Sequence, residues 1–74
     1  MINRNYQLEC RVIKEDECGT YFDIIEEWFH TAKEARTRSN EIIKIYGSDL
    51  EQVKLYRFRN DCSFVSEKLL FKCN

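Results

Sequence analysis

Catalysis in a short chain needs a nucleophile, a base or a metal ligand held beside a partner, and few residues here qualify. His30 is the single histidine. It directly precedes a predicted helix start, where a neutral ring is favoured, and with no second histidine to share a site it reads as a surface or capping residue. Cys18 beside Gly19 is a candidate exposed thiol. Glu15, Asp16 and Glu17 come just before it, and neighbouring carboxylates raise a thiol's pKa and make it a poor nucleophile. Glu26 and Glu27 are adjacent, so on a strand they point to opposite faces and cannot act together as a two-carboxylate site. Gly19 and Gly47 are the only glycines, too few for a phosphate-cradling loop. These gaps point away from an enzyme, and no cofactor is implied.

The four cysteines raise two further chemistries, a disulfide framework and a zinc site. A disulfide scaffold usually carries more turn residues than two Gly and no Pro. Cys10 and Cys73 lie in apolar, strand-like runs and are expected to be buried thiols, as in a reducing compartment. Zinc sites usually draw on close pairs such as C-x₂-C, and the spacings from Cys10 to Cys18 and from Cys62 to Cys73 are far wider. No metal site is expected. No apolar run approaches the roughly 18 residues of a membrane span, and the start Met1-Ile2-Asn3-Arg4-Asn5 lacks the apolar stretch of a signal peptide. The expectation is a cytoplasmic protein with no membrane partner.

The elements that must position any site follow from periodicity. At 74 residues, 43% hydrophobic and 34% charged, the chain has the balance of one small globular domain spanning residues 1–74. Nothing repeats, and no linker divides it. Tyr6, Leu8, Cys10 and Val12 alternate with Gln7, Glu9 and Arg11, which predicts a half-buried strand over residues 5–14. Glu15 to Gly19 reads as a turn into a second strand over 20–29, dense in β-branched and aromatic residues. The facing of that strand is ambiguous. Phe22, Ile24 and Trp28 share one parity, and Tyr21, Ile25 and Phe29 share the other.

The region from Thr31 to Gly47 reads as a capped helix. Thr31 and Glu34 have capping-box spacing, and Gly47 sits where a left-handed residue ends a helix. Ala32, Ala35, Ser39, Ile42, Ile43 and Tyr46 fall on one face at steps of three and four. Two further strands, over 53–59 and 63–72, flank a turn at Asn60-Asp61, residues that tolerate positive φ. The expected fold is α+β: a ββαββ two-layer sandwich, with a four-stranded, mainly antiparallel sheet and one helix on one face. Element order and length resemble those of β-grasp domains, which would pair the first and last strands centrally. A plain antiparallel order is the alternative.

One helix can cover one face only, yet the strands carry apolar residues on both. A surplus of this kind predicts an exposed aromatic face, and such patches usually mark interfaces. The alternative is a bulge or strong twist that tucks part of the surplus against the helix edge. The candidate partner-binding residues are Tyr21, Phe29, Tyr56, Arg57, Phe58 and Arg59, with Glu26 and Glu27 on an acidic edge.

Charge is uneven along the chain although the net value is −1. Every charge from Glu15 to Glu27 is acidic, whereas Lys33 to Arg59 is mainly basic. The leading expectation is a small non-catalytic module that binds another protein, a second copy of itself included. Products of phages and mobile elements that inhibit host machinery such as a defence nuclease, anti-CRISPR proteins among them, are often of this size and simplicity. The second reading is a nucleic-acid-binding module using Lys33, Arg36, Arg38, Lys54, Arg57 and Arg59, with Tyr56 and Phe58 as stacking platforms.

Overall fold

A computed structural model describes residues 4–73 of the chain. Its elements run β1 (Tyr6–Asp16), β2 (Gly19–Phe29), α1 (Ala32–Tyr46), a 3₁₀ turn (Gly47–Asp49), β3 (Leu50–Phe58) and β4 (Phe64–Lys72). This is the ββαββ sandwich, and the strands form one antiparallel sheet in the order β2-β1-β3-β4. The β-grasp order is not adopted. β1 pairs with β3, and β4 lies at the edge beside β3. Because β2 and β3 both run antiparallel to β1, they are parallel to each other, and α1 carries the chain across β1 between them.

The β1–β2 register is unbroken from Tyr6 opposite Phe29 to Asp16 opposite Gly19. A turn of Glu17 and Cys18 joins them, with the Asp16 carboxylate accepting from the Cys18 amide at 2.8 Å and Gly19 at a φ of +120°. Opposed residues share a face, so this register sends Asp23, Ile25, Glu27 and Phe29 to the side of Leu8, Cys10 and Val12. Phe22, Ile24, Glu26 and Trp28 take the other side.

The helix forms where the capping box lies. The Glu34 amide donates to the Thr31 hydroxyl at 3.2 Å, and that hydroxyl lies 3.3 Å from the Glu34 carboxylate. At the other end the Gly47 amide donates to the Ile43 carbonyl, with φ at +54°. Ala35, Ser39 and Ile42 are the buried positions of α1. They close a core with Leu8, Cys10, Val12, Leu50, Val53 and Leu55. Small residues at 35 and 39 let the helix backbone approach the central strands, and Ile42 supplies volume further on.

Two expectations are corrected by backbone detail. The turn before β4 needs one left-handed residue, and it is Cys62, at a φ of +70°, rather than Asn60 or Asp61. The Cys62 amide donates to the Arg59 carbonyl and the Arg59 amide to the Ser63 carbonyl, both at 2.9 Å, so the loop is a three-residue turn with a bulge. Asp61 accepts from the Ser63 amide and hydroxyl instead, which holds its carboxyl below the usual range. The other correction concerns Cys73, which is exposed, while Cys10 is fully buried. Cys73 follows the last residue of β4, the edge strand beside β3.

Candidate docking face of the sheet

The helix packs over β1, β2 and β3 on one side, leaving the opposite face of the sheet open. Its central residues come from pairs in register. Glu9 lies between Glu26 of β2 and Lys54 of β3, and Arg11 between Ile24 and Gln52. The Arg11 guanidinium sits 5.6 Å from the Phe22 ring centroid and 3.8 Å from the Glu51 carboxylate.

Four rings gather at the end of this face where β1 begins. Trp28 and Phe58 have centroids 5.4 Å apart, Phe58 and Phe64 6.2 Å, and Tyr56 lies 6.4 Å from both phenylalanines. The cluster bridges β2, β3 and β4 over the thin start of β1. Trp28 is 43% exposed and Phe64 58%, beside Phe22 at 55% and Ile24 at 44%. The Tyr56 phenol is pushed above its ordinary pKa, chiefly by burial and then by Glu9 and Glu67. It is the polar group of an otherwise apolar cluster.

Of the residues singled out from sequence, Tyr56, Phe58 and Glu26 belong to this face. Tyr21, Glu27, Phe29 and Arg57 do not. Phe29 packs against the core on the helix side. Glu27 accepts from Arg38 Nε at 3.1 and 3.2 Å, so its charge is satisfied by the helix. Tyr21 shares that side and stays exposed. Arg57 stands 5.9 Å over the Tyr6 ring, also on the helix side. Arg59 starts the β3–β4 turn and reaches the ring cluster from its edge. Trp28 and Phe64, not among the residues singled out, complete the cluster. The place of Trp28 follows from the two-residue turn at Glu17-Cys18, which sets the β2 register and puts it on the side opposite Leu8.

The basic residues of the nucleic-acid reading are divided by the fold. Lys33, Arg36 and Arg38 belong to α1, on the far side of the sheet from Tyr56 and Phe58, and Arg38 is engaged by Glu27 and Glu41. Lys54 is paired in register with Glu9. Among the described residues no group of three or more His, Cys, Asp or Glu converges as metal ligands. No described helix is long and apolar enough to cross a membrane.

Comparison with protein-family models, with curated proteins and with solved structures yields no match to the chain.

Proposed function

We propose that the chain is a non-catalytic protein-binding module whose contact surface is the open face of the sheet. The observation that carries this reading is the ring cluster of Trp28, Tyr56, Phe58 and Phe64 on the face the helix leaves bare. Aromatic side chains with a polar rim are the composition of interface hot spots, because each removes a large area from water at little cost in side-chain freedom. The area also suits. The molecule measures 43 × 22 × 22 Å, so one sheet face is of the order of the ~800 Å² that each partner contributes to a standard interface. A module of this kind acts by occupancy, covering a working surface of its partner as an inhibitor of host machinery such as a nuclease does. The same face joining a second copy is the homodimeric form of this reading.

The test is capture from a lysate of the source host with the wild-type chain and with a Trp28→Ser/Phe64→Ser variant of verified fold. The expected result is a partner retained by the first and lost from the second, insensitive to nuclease treatment. Light scattering on both chains identifies a self-association that the variant abolishes. Equal capture by both chains, or capture that nuclease treatment removes, overturns the reading.

A further inference from the structure

The ring-bearing end of the open face differs from the rest of it in charge. A cleft of about 350 Å³ lies there between the start of β1, the end of β2 and the β3–β4 turn, floored by Trp28 and Phe58 and walled by Arg4, Arg59 and Cys62. A second depression is lined by Tyr6 and Arg57, both of the helix side, together with Phe58 and Arg59. No carboxylate lines either. Among the described residues neither Arg4 nor Arg59 takes part in an ion pair, whereas Arg11, Lys14 and Arg38 all do. The wall is braced, because Asn5 Nδ2 donates to Asn60 Oδ1 at 2.9 Å and ties the turn to the start of β1. A cleft lined by aromatic rings and by two arginines outside any ion pair among the described residues suits an apolar side chain flanked by anions.

We propose that this cleft captures an acidic segment of the protein partner, with an apolar or aromatic side chain seated on Trp28 and Phe58 and neighbouring carboxylates paired by Arg4 and Arg59. The inference rests on the protein-binding reading and names the chemistry of its partner. Phosphates could pair with the same arginines. A nucleic acid strand leaving the cleft along the sheet, however, would meet Glu67 opposite Tyr56, and then Glu9 beside Glu26. Like charges on that path disfavour a continuous phosphate backbone, whereas a peptide needs only the cleft. The volume fits one side chain with its flanking backbone, at the small end of the range for ligand pockets.

Trp28 is the chain's single tryptophan, so its emission reports directly on the cleft. The probes are an end-blocked acidic peptide Asp-Glu-Phe-Glu-Asp, its basic counterpart Lys-Lys-Phe-Lys-Lys, and a short oligothymidylate. The expected result is a saturable emission change with the acidic peptide alone. It weakens at least about ten-fold in Arg4→Glu/Arg59→Glu, where two charge-assisted pairs become like-charge contacts, and on raising the salt. Lys72→Glu, a charge reversal remote from the cleft, leaves it unchanged. Equal binding of the basic peptide, tighter binding of the oligonucleotide, or no saturation overturns the inference. A host partner retained by Arg4→Glu/Arg59→Glu but lost from Trp28→Ser/Phe64→Ser overturns the acidic-segment inference and leaves the protein-binding reading standing. A partner retained by both variants removes the reading itself.

Discussion

The two faces of β2 are nearly matched in apolar content and opposite in fate. Ile25 and Phe29 pack against the core, whereas Phe22, Ile24 and Trp28 stay exposed one residue away. Hydrophobicity does not separate them. What does is the width of a single helix, which reaches one face only of β1, β2 and β3. The difference teaches that in so small a sandwich the core is wherever the helix lies, and equally apolar residues elsewhere become surface available for contact.

Substitution should break this symmetry most visibly in stability. Leu8 is fully buried under the helix, and Leu8→Ala is expected to cost about 3 kcal/mol by removing apolar volume and leaving a cavity. Trp28→Ala loses the ring contact with Phe58, worth about 1 kcal/mol, and the burial of part of a ring that is 43% exposed. It opens no enclosed cavity, so its cost is expected to be about 2 kcal/mol. Urea unfolding of both variants measures the contrast. If Trp28→Ala costs as much as Leu8→Ala, the open face is part of the core and not a docking surface.

Cys10 extends the comparison to pH, because it lies on the covered face. Burial, with Glu27 adding to it, pushes its thiol up to about 11 from an ordinary 9.0. The folded state therefore holds this proton after the unfolded chain has released it. Its contribution to stability is complete below pH 9 and is lost as pH rises towards 11, by roughly 2 to 3 kcal/mol for a shift of about two units. Cys10→Ala should flatten that part of the alkaline limb in denaturation curves recorded between pH 8 and 11. The remainder belongs to Tyr56, raised mainly by burial, and to Lys14, raised by its contact with Asp23, and both slopes have the same sign. A wild-type stability that stays level from pH 9 to 11 would place Cys10 in contact with solvent.

The covered face was legible in sequence where local signals agree. The capping box and terminal glycine bound the helix to within a residue of Ala32–Tyr46, and the alternation of Leu8, Cys10 and Val12 marked the buried side of β1. Strand order was not legible, since it depends on which long-range pairing wins, and no local pattern records that β1 joins β3 rather than β4. The open face was half legible. Tyr56 and Phe58 stood out, but Phe29 was expected on it, and Glu27 on an acidic edge, because the parity of β2 cannot be assigned until its register with β1 is known. In β4 the pattern misleads for a different reason. A bulge opposite Val53 and Lys54 leaves Leu70 between paired neighbours, and Leu70 and Phe71 both pack against the core despite opposite parity.

The two hairpin turns offer a smaller test. Each puts one residue at positive φ: Gly19 at one end of the sheet and Cys62 at the cleft end. A side chain in that region costs of order 1 kcal/mol, partly offset by the extra freedom glycine has when unfolded. Cys62→Gly should therefore raise stability by about 0.5 kcal/mol, and Gly19→Ala should lower it by a similar amount or more. Thermal unfolding of the two variants reads opposite signs. A loss on Cys62→Gly would mean that its side chain holds the cleft wall in place.

The finest contrast is between the adjacent residues Glu26 and Glu27. Glu27 is bound by Arg38 under the helix, with both side chains about a third exposed, so Glu27→Gln should cost under about 1 kcal/mol after solvent screening. Glu26 faces the open side directly opposite Glu9, a like-charge pair, so Glu26→Gln should gain a few tenths of a kcal/mol. A double-mutant cycle with Arg38→Met separates the two, since coupling is expected to Glu27 and none to Glu26. A slip of β2 by one residue would exchange these results. It would also turn Trp28 towards the helix and Phe29 outwards, so this small effect checks the register on which the proposed docking face depends.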